Sequence, residues 1–309
     1  MNKHLSDRIV NNLRAILIAI LASALIFCAI MMVRSYRTET EGADIYEAAA
    51  DEFLSTLPLE AATPSPTTVP ATEAPEDDTT MPTAPAGSTT EAITTAPPVT
   101  RPVIYSAESV VVDFEKLRAV NPDVVGWIII ENTTVSYPVL QGRDNEYYLN
   151  RTYNNRSSSY GSIFVDYRQS TSFNIDHTVI YGHNMRNSSM FGQLLKYSGR
   201  AFWEARPCFH ILLPEGMLKY EIFSAYKAEV GSETYRVGFA DDAAKQMWLD
   251  TVTGWSDVTM GVHPDVDDDI VTLSTCTSSS AERDDFRYVV HARKVMDTRG
   301  AADAEERAQ

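Results

Sequence analysis

Cysteine is scarce in this chain: three residues, Cys28, Cys208 and Cys276. Cys28 falls inside a long apolar run, so two thiols remain beyond it, and a disulfide framework is not indicated. Cys208 sits in Pro207-Cys208-Phe209-His210-Ile211-Leu212-Leu213 and reads as a small core residue. Cationic residues are missing over a longer stretch. Thr38 to Thr100 holds twelve Asp or Glu and no Lys or Arg, and it supplies most of the formal net charge of −16. No basic patch follows, which argues against a nucleic-acid partner. Metal-ligand spacing is absent too. Asp265 to Asp269 reads as a solvated acidic loop rather than a calcium site, and neither a metal nor another cofactor is expected. Large apolar residues are few between Ala61 and Pro102, where Thr, Pro, Ala and Ser dominate. Such a stretch cannot bury enough surface to offset its ordering entropy, so disorder is predicted.

One feature is present in full measure. Residues 15–33 form an uncharged apolar run of 19, long enough to cross a bilayer as a helix. The run has no polar face, which excludes an amphipathic core helix, and no small-residue cleavage pattern follows it. An uncleaved membrane anchor is predicted. Lys3, Arg8 and Arg14 precede it, and the acidic stretch follows, which favours a cytoplasmic N-terminus and an extracellular remainder. The expected organisation is a cytoplasmic segment over 1–14, a transmembrane helix over 15–33, and an acidic stalk over 34–105. A folded domain over 106–297 and a polar tail over 298–309 complete it. A weak helical pattern at Ile45, Ala49, Phe53 and Leu57 continues outward from the anchor. As a flexible tether, 38–100 spans roughly 45 Å, and roughly 200 Å when drawn out.

Within 106–297 short β-type runs recur between turn signals: 125–130, 135–140, 162–167, 178–183, 207–213, 217–230, 269–276 and 286–296. Eight short strands predict a mainly-β barrel or sandwich. Helical patterns are fewer, at 111–120, 190–197, 201–206 and 241–253. The last opens with Asp241-Asp242, suited to a helix N-terminus.

The chemistry concentrates near the end. Thr272-Leu273-Ser274-Thr275-Cys276 is a β-type run ending in a thiol, and Arg287 opens the next, Arg287-Tyr288-Val289-Val290-His291-Ala292. Joined by a polar loop, the two runs predict an antiparallel hairpin whose simplest register sets Cys276 beside Arg287. A thiol next to a fixed positive charge is an assisted nucleophile. Of six histidines, His210 and His291 lie within strand-like runs, His177 starts one, His4 precedes the anchor, and His263 precedes Pro264. His183, in Tyr181-Gly182-His183-Asn184-Met185, ends an apolar strand, where a β scaffold displays functional groups.

Tyr-Gly-His-Asn-Met paired with Thr-Leu-Ser-Thr-Cys, and an arginine opening the final strand, resembles the sortase family of membrane-anchored cysteine transpeptidases of Gram-positive bacteria. Further segments resemble class B in particular: Asn121-Pro122-Asp123-Val124-Val125-Gly126-Trp127-Ile128, Tyr137-Pro138-Val139-Leu140-Gln141-Gly142, Asp144-Asn145-Glu146-Tyr147-Tyr148-Leu149 and Gly161-Ser162-Ile163-Phe164-Val165-Asp166-Tyr167. The helix over 241–253 also fits that class. The resemblance covers roughly Val110 to Val295. It implies a closed eight-stranded β-barrel with peripheral helices and a Cys-His-Arg site. Cys276 is then the nucleophile, His183 the general acid/base, and Arg287 the oxyanion and substrate stabiliser. Arg283 competes for that role; Arg287 is preferred because it directly precedes Tyr288-Val289-Val290. Ser274, two residues before the cysteine, shares its face and is expected to touch substrate. The backbone N–H of Thr277 is expected to join the oxyanion site.

The implied partners are a sorting-signal peptide, cut at a Thr–X bond through a thioacyl-enzyme, and an amine of peptidoglycan that resolves it at the cell membrane. At ordinary pKa values about 3% of a thiol is ionised at pH 7 and about a quarter of an imidazole is charged, so a slow enzyme is expected. Three alternatives stay open: a pilin-polymerising class B enzyme, a hydrolytic cysteine protease, and a non-catalytic display module. An L,D-transpeptidase is disfavoured, because Thr275 rather than a glycine precedes Cys276.

Overall fold

The computed structural model describes residues 2–56, 106–277 and 285–299. A long helix α1 (Asn2–Phe53) leads to a short strand β1 (Leu54–Thr56), which pairs antiparallel with β2 (Val110–Val112). Asp113 then caps helix α2 (Phe114–Val120), its carboxylate accepting from the Lys116 N–H at 3.0 Å. The helical pattern expected from residue 111 is therefore split, its first residues serving as strand.

All eight expected barrel strands form: β3 (Val124–Ile129), β4 (Ser136–Leu140), β5 (Ile163–Val165), β6 (His177–Tyr181), β7 (Cys208–Leu213), β8 (Gly216–Glu229), β9 (Ile270–Cys276) and β10 (Phe286–Asp297). They close in the order β10-β8-β7-β3-β4-β5-β6-β9. Closure leaves no unpaired edge in the barrel. Two neighbouring pairs run parallel, β4 with β5 and β6 with β9; the rest are antiparallel. Helices α3 (Arg200–Ala205) and α4 (Asp242–Gly254) lie outside the barrel. Among the described residues one helical segment, Leu13–Val33, is long and apolar enough to cross a membrane.

β9 is buried along nearly its whole length, and its side chains turn to opposite sides with the strand period of two. Val271 and Leu273 of β9 belong to the main core, while Ile270 packs in a second cluster under α4 with Phe223, Trp248, Leu249, Val252 and Val289. Two histidines lie under the same helix. His177 Nδ1 is 2.7 Å from the Arg236 carbonyl and Nε2 is 2.7 Å from Thr272 Oγ1. Thr272 Oγ1 is 2.7 Å from His291 Nδ1, His291 Nε2 is 3.1 Å from the Tyr226 hydroxyl, and that hydroxyl is 2.8 Å from Thr234 Oγ1. A carbonyl only accepts, so His177 carries its proton on Nδ1. The chain of donors then runs one way, with Thr272 donating to His177, His291 to Thr272, Tyr226 to His291 and Thr234 to Tyr226. Both imidazoles are neutral in this arrangement.

Composition assigns residues 34–105 to a stalk, and the structure differs over its near part. α1 runs unbroken past Val33, and Gly42, Tyr46, Ala49, Ala50 and Phe53 make a buried face at three- and four-residue spacing. Three of those five are Gly or Ala, so average hydropathy does not reveal a face made by close approach. The chain leaves at Thr56 and returns at Val110 on the paired strand. The helix that holds the apolar run thus reaches the folded domain through β1 and its pairing with β2. Residues 57–105, where disorder is expected, and the tail beyond residue 299 lie outside the described residues.

Burial pushes the His177 pKa down to about 4, against smaller opposing contributions from the Arg236 carbonyl and nearby carboxylates, and pushes that of His291 down as well. The neutral forms are favoured on folding, so their contribution is complete above about pH 6.5 and is lost as pH falls toward about 4. For His177 this amounts to something on the order of 3 kcal/mol. Thermal melts of the full chain between pH 7 and pH 4 should show a falling Tm. A His177→Gln/His291→Gln variant should melt lower at pH 7 but decline less steeply.

Candidate active site

The parallel pairing of β6 with β9 builds the site. Their register sets Tyr181 opposite Ser274, and the Gly182 N–H donates to the Ser274 carbonyl at 3.1 Å. His183 lies two residues past Tyr181 and Cys276 two past Ser274, so parallel strands carry both to the same rim. Antiparallel β10 begins at that rim, with Arg287 directly opposite Cys276, the register expected from the sequence. Asn184 Nδ2 donates to the Cys276 carbonyl at 3.0 Å, tying the two strand ends together beyond the last ladder bond.

His183 is held from the other side by backbone. Its Nε2 is 2.7 Å from the Leu149 carbonyl, which can only accept, so Nε2 carries a proton and Nδ1 is the nitrogen left for proton exchange. The motif Asp144-Asn145-Glu146-Tyr147-Tyr148-Leu149 delivers that carbonyl. Asp144 Oδ1 accepts from the N–H groups of Glu146 (2.9 Å) and Tyr147 (2.8 Å), which starts the short 3-10 helix Tyr147–Asn150. Buried Tyr148 donates to Asp123 Oδ2 at 2.7 Å and accepts from Asn121 Nδ2 at 3.0 Å, which anchors the turn. Gly161 closes the arrangement with φ +57°. A Cβ there would meet the Leu149 oxygen at 2.6 Å, the Tyr148 oxygen at 2.7 Å and His183 Cδ2 at 2.8 Å. No side chain fits between the turn and the imidazole.

The three groups open onto one groove of about 580 Å³, whose walls include Leu149, Tyr181, Ser274, Thr275 and Tyr235. Tyr235 lies roughly parallel to Tyr181, ring centres 6.4 Å apart, and its hydroxyl is 3.0 Å from Ser274 Oγ. Ser274 is thus placed in the groove wall, 1% exposed, with Tyr235 as its polar partner. Thr277 directly follows Cys276 at the rim and is half-buried; Arg283 lies outside the described residues. The wall around Tyr235 is pinned from below, since Thr234 and the Arg236 carbonyl are the two ends of the buried histidine chain. Among the described residues, no group of His, Cys, Asp and Glu is disposed to hold a metal ion.

Several supports escaped sequence reasoning. Any residue supplies a carbonyl, so Leu149 has no side-chain signal of its role. Asn184 had a usable one, directly following the histidine. Tyr235 had none, because its contact with Ser274 spans 39 residues.

Burial pulls the His183 pKa below its ordinary value; the Leu149 carbonyl opposes this, and the positive charge of Arg287 adds to the lowering. Chemically, the rim offers a thiol, a nitrogen able to move a proton, and a guanidinium beside a concave surface.

A family model described as a sortase domain matches residues 128–295. Sortase B of Listeria monocytogenes is 36% identical over 185 residues, covering 59% of this chain and 74% of that protein. Sortase B of Staphylococcus aureus is 36% identical over 170 residues, covering 55% and 69%. Among solved structures, a Staphylococcus aureus sortase B–substrate complex matches with a TM-score of 0.56 and 35% identity, over 59% of this chain and 84% of that one.

Titration of His183 by NMR should give a midpoint below 6.5, and Arg287→Ala should move it upward by removing the nearby cation. An unchanged midpoint in that variant would show that Arg287 does not act on the imidazole.

Proposed function

Given that the chain belongs to the sortase family of cysteine transpeptidases, we propose that Cys276, His183 and Arg287 are its catalytic residues and that it joins a surface protein to a peptidoglycan amine. The observation that carries this reading is the convergence of the three side chains on one groove at one barrel rim. The substrate is a sorting-signal peptide lying in that groove, and the bond cut follows a threonine. A relative with the same fold is described as a sortase B–substrate complex, which supports a groove-bound substrate here.

The thiolate of Cys276 attacks the scissile carbonyl carbon, and the C=O electron pair moves onto oxygen. Arg287 and the Thr277 N–H stabilise that oxyanion. Collapse breaks the C–N bond, and the departing amine takes the proton on Nδ1 of charged His183. Nε2–H stays on the Leu149 carbonyl throughout, so the imidazole neither rotates nor changes its outer partner. Neutral His183 then accepts a proton at Nδ1 from the incoming amine, whose nitrogen displaces the sulfur. Because burial and Arg287 disfavour the charged imidazole, less than about a quarter of it is protonated at pH 7, which makes the first half-reaction slow. Ser274 shapes the groove through its bond to Tyr235.

The apolar segment of α1 is proposed to cross the membrane with 1–14 in the cytoplasm and the barrel outside, where wall amines are found. Residues 106–297 then make up the catalytic domain, with α1 and β1 packed on it, and 298–309 is a polar tail.

A fluorogenic sorting peptide, incubated with the full chain in detergent and excess soluble amine, should yield amide product. Cys276→Ala and His183→Ala should each lower this by at least about a thousandfold. Arg287→Ala should cost about a hundredfold, and Arg283→Ala less than about threefold. Amine-independent cleavage would instead indicate a protease. No cleavage together with an unreactive Cys276 thiol would indicate a display module.

A further inference from the structure

The helix that carries the apolar segment touches the structure supporting His183. Tyr46, 4% exposed, donates its hydroxyl hydrogen to the Gly161 carbonyl at 2.5 Å, and its oxygen is 3.2 Å from Ser162 Oγ. One turn earlier on the same face, Gly42 lies against Tyr160: a Cβ there would meet three atoms of that ring at 2.2–2.7 Å. Two helix residues spaced by four thus grip three consecutive residues, Tyr160 to Ser162. The middle one is the glycine at which a Cβ would collide with the Tyr148 and Leu149 oxygens and the His183 ring. Ser162 completes the grip, its N–H donating to the Tyr148 carbonyl at 2.9 Å and its hydroxyl to the Arg151 carbonyl at 2.7 Å. Burial holds the Tyr46 phenol well above its ordinary pKa, so it stays a donor. Its ring is fixed edge-on to Tyr137 at 5.3 Å and tilted against Tyr153 at 5.9 Å.

We propose that the Gly42–Tyr46 turn of α1 is a positioning element for His183: by gripping Tyr160–Ser162 it sets Gly161 against the Leu149 carbonyl, and so keeps the imidazole in the tautomer that offers Nδ1 to the groove. Tyr46 touches no reacting atom and works through backbone. Gly161 has φ +57°, one of several conformations a glycine adopts freely, so its contacts select among them. The grip comes from a segment 115 residues away in sequence, so it forms only when the anchor helix is docked. With α1 undocked, the Leu149 carbonyl and His183 Nε2 separate, and the imidazole divides between two tautomers, one of which has no lone pair on Nδ1.

The catalytic half of this inference rests on the proposed function; the tautomer half does not. The full chain in detergent micelles, with 15N-labelled histidine, is compared as wild type, Tyr46→Phe and Gly42→Leu. Tyr46→Phe keeps the ring packing and removes one hydrogen bond. It should lower kcat about three- to tenfold with KM unchanged. The His183 nitrogen shifts should move from the pure Nε2–H pattern toward a mixture. Gly42→Leu should do both more strongly, by forcing the helix off Tyr160. Either variant losing kcat together with thermal stability while the His183 nitrogen shifts stay at wild-type values would overturn the proposal, leaving α1 a structural brace. So would wild-type kcat and wild-type shifts in both. If the wild type transfers no peptide at all, the proposed function fails, and the nitrogen shifts still decide whether α1 sets the tautomer.

Discussion

The site depends on one pairing, the parallel ladder between β6 and β9. Strands in parallel end together, so the register that sets Tyr181 opposite Ser274 also carries His183 and Cys276 to a common rim. Were these strands antiparallel, the histidine and the thiol would leave the barrel at opposite ends. A one-residue slip would also turn Cys276 to the other face of the sheet. Closure of the barrel through β10 then brings a guanidinium opposite the thiol without any further loop geometry. The candidate site is built on strand ends, whose backbone positions are set by ladders on both sides.

Around that rim, polar backbone does what side chains do in many other sites. The imidazole is oriented by a main-chain carbonyl, that carbonyl is aimed by an Asp-capped turn, and the turn is seated on a glycine with positive φ. This arrangement adds no negative charge next to His183, so the Leu149 carbonyl offsets only part of the effect of burial and Arg287 in favouring the neutral ring. A carboxylate partner would instead have raised the imidazole pKa and increased its charged fraction at neutral pH. Below the groove, two further neutral histidines form a one-way donor chain that ends at Thr234 and Arg236, flanking Tyr235 in the groove wall. The second hydrophobic cluster under α4 therefore contributes to groove shape as well as to stability.

The continuous helix α1 alters how the chain is organised. A long acidic, Thr/Pro-rich segment next to an apolar run reads as a spacer. Yet α1 continues from the apolar segment to residues packed against the barrel, and β1, which follows it, pairs with β2. From Val33 to Tyr46 is thirteen helical residues, about 20 Å of rise. The candidate site's barrel and the apolar segment are thus joined through continuous helix.

Much of this was legible in the sequence because it is written in local pattern. All eight barrel strands followed from short β-type runs between turn residues, α4 from Asp241 and its apolar face, and the apolar helix from an uncharged run of sufficient length. Cys276 and Arg287 were paired by a hairpin, the shortest-range tertiary contact available, and His183 stood out at a strand end. The contacts that hold these groups were not legible, because each is made by backbone or by residues distant in the chain. The Leu149 carbonyl carries no side-chain signature, Gly161 is informative only once its φ and neighbours are known, and Tyr46 reaches Gly161 across 115 residues. Gly42, Ala49 and Ala50 are weakly hydrophobic, so the docking face of α1 vanished into an acidic composition. The sequence by itself determined which elements form and which side chains can do chemistry, since propensity and periodicity act within a few residues. Only the tertiary structure decided which nitrogen of His183 faces the groove and what keeps it there, because that depends on where distant backbone atoms come to rest.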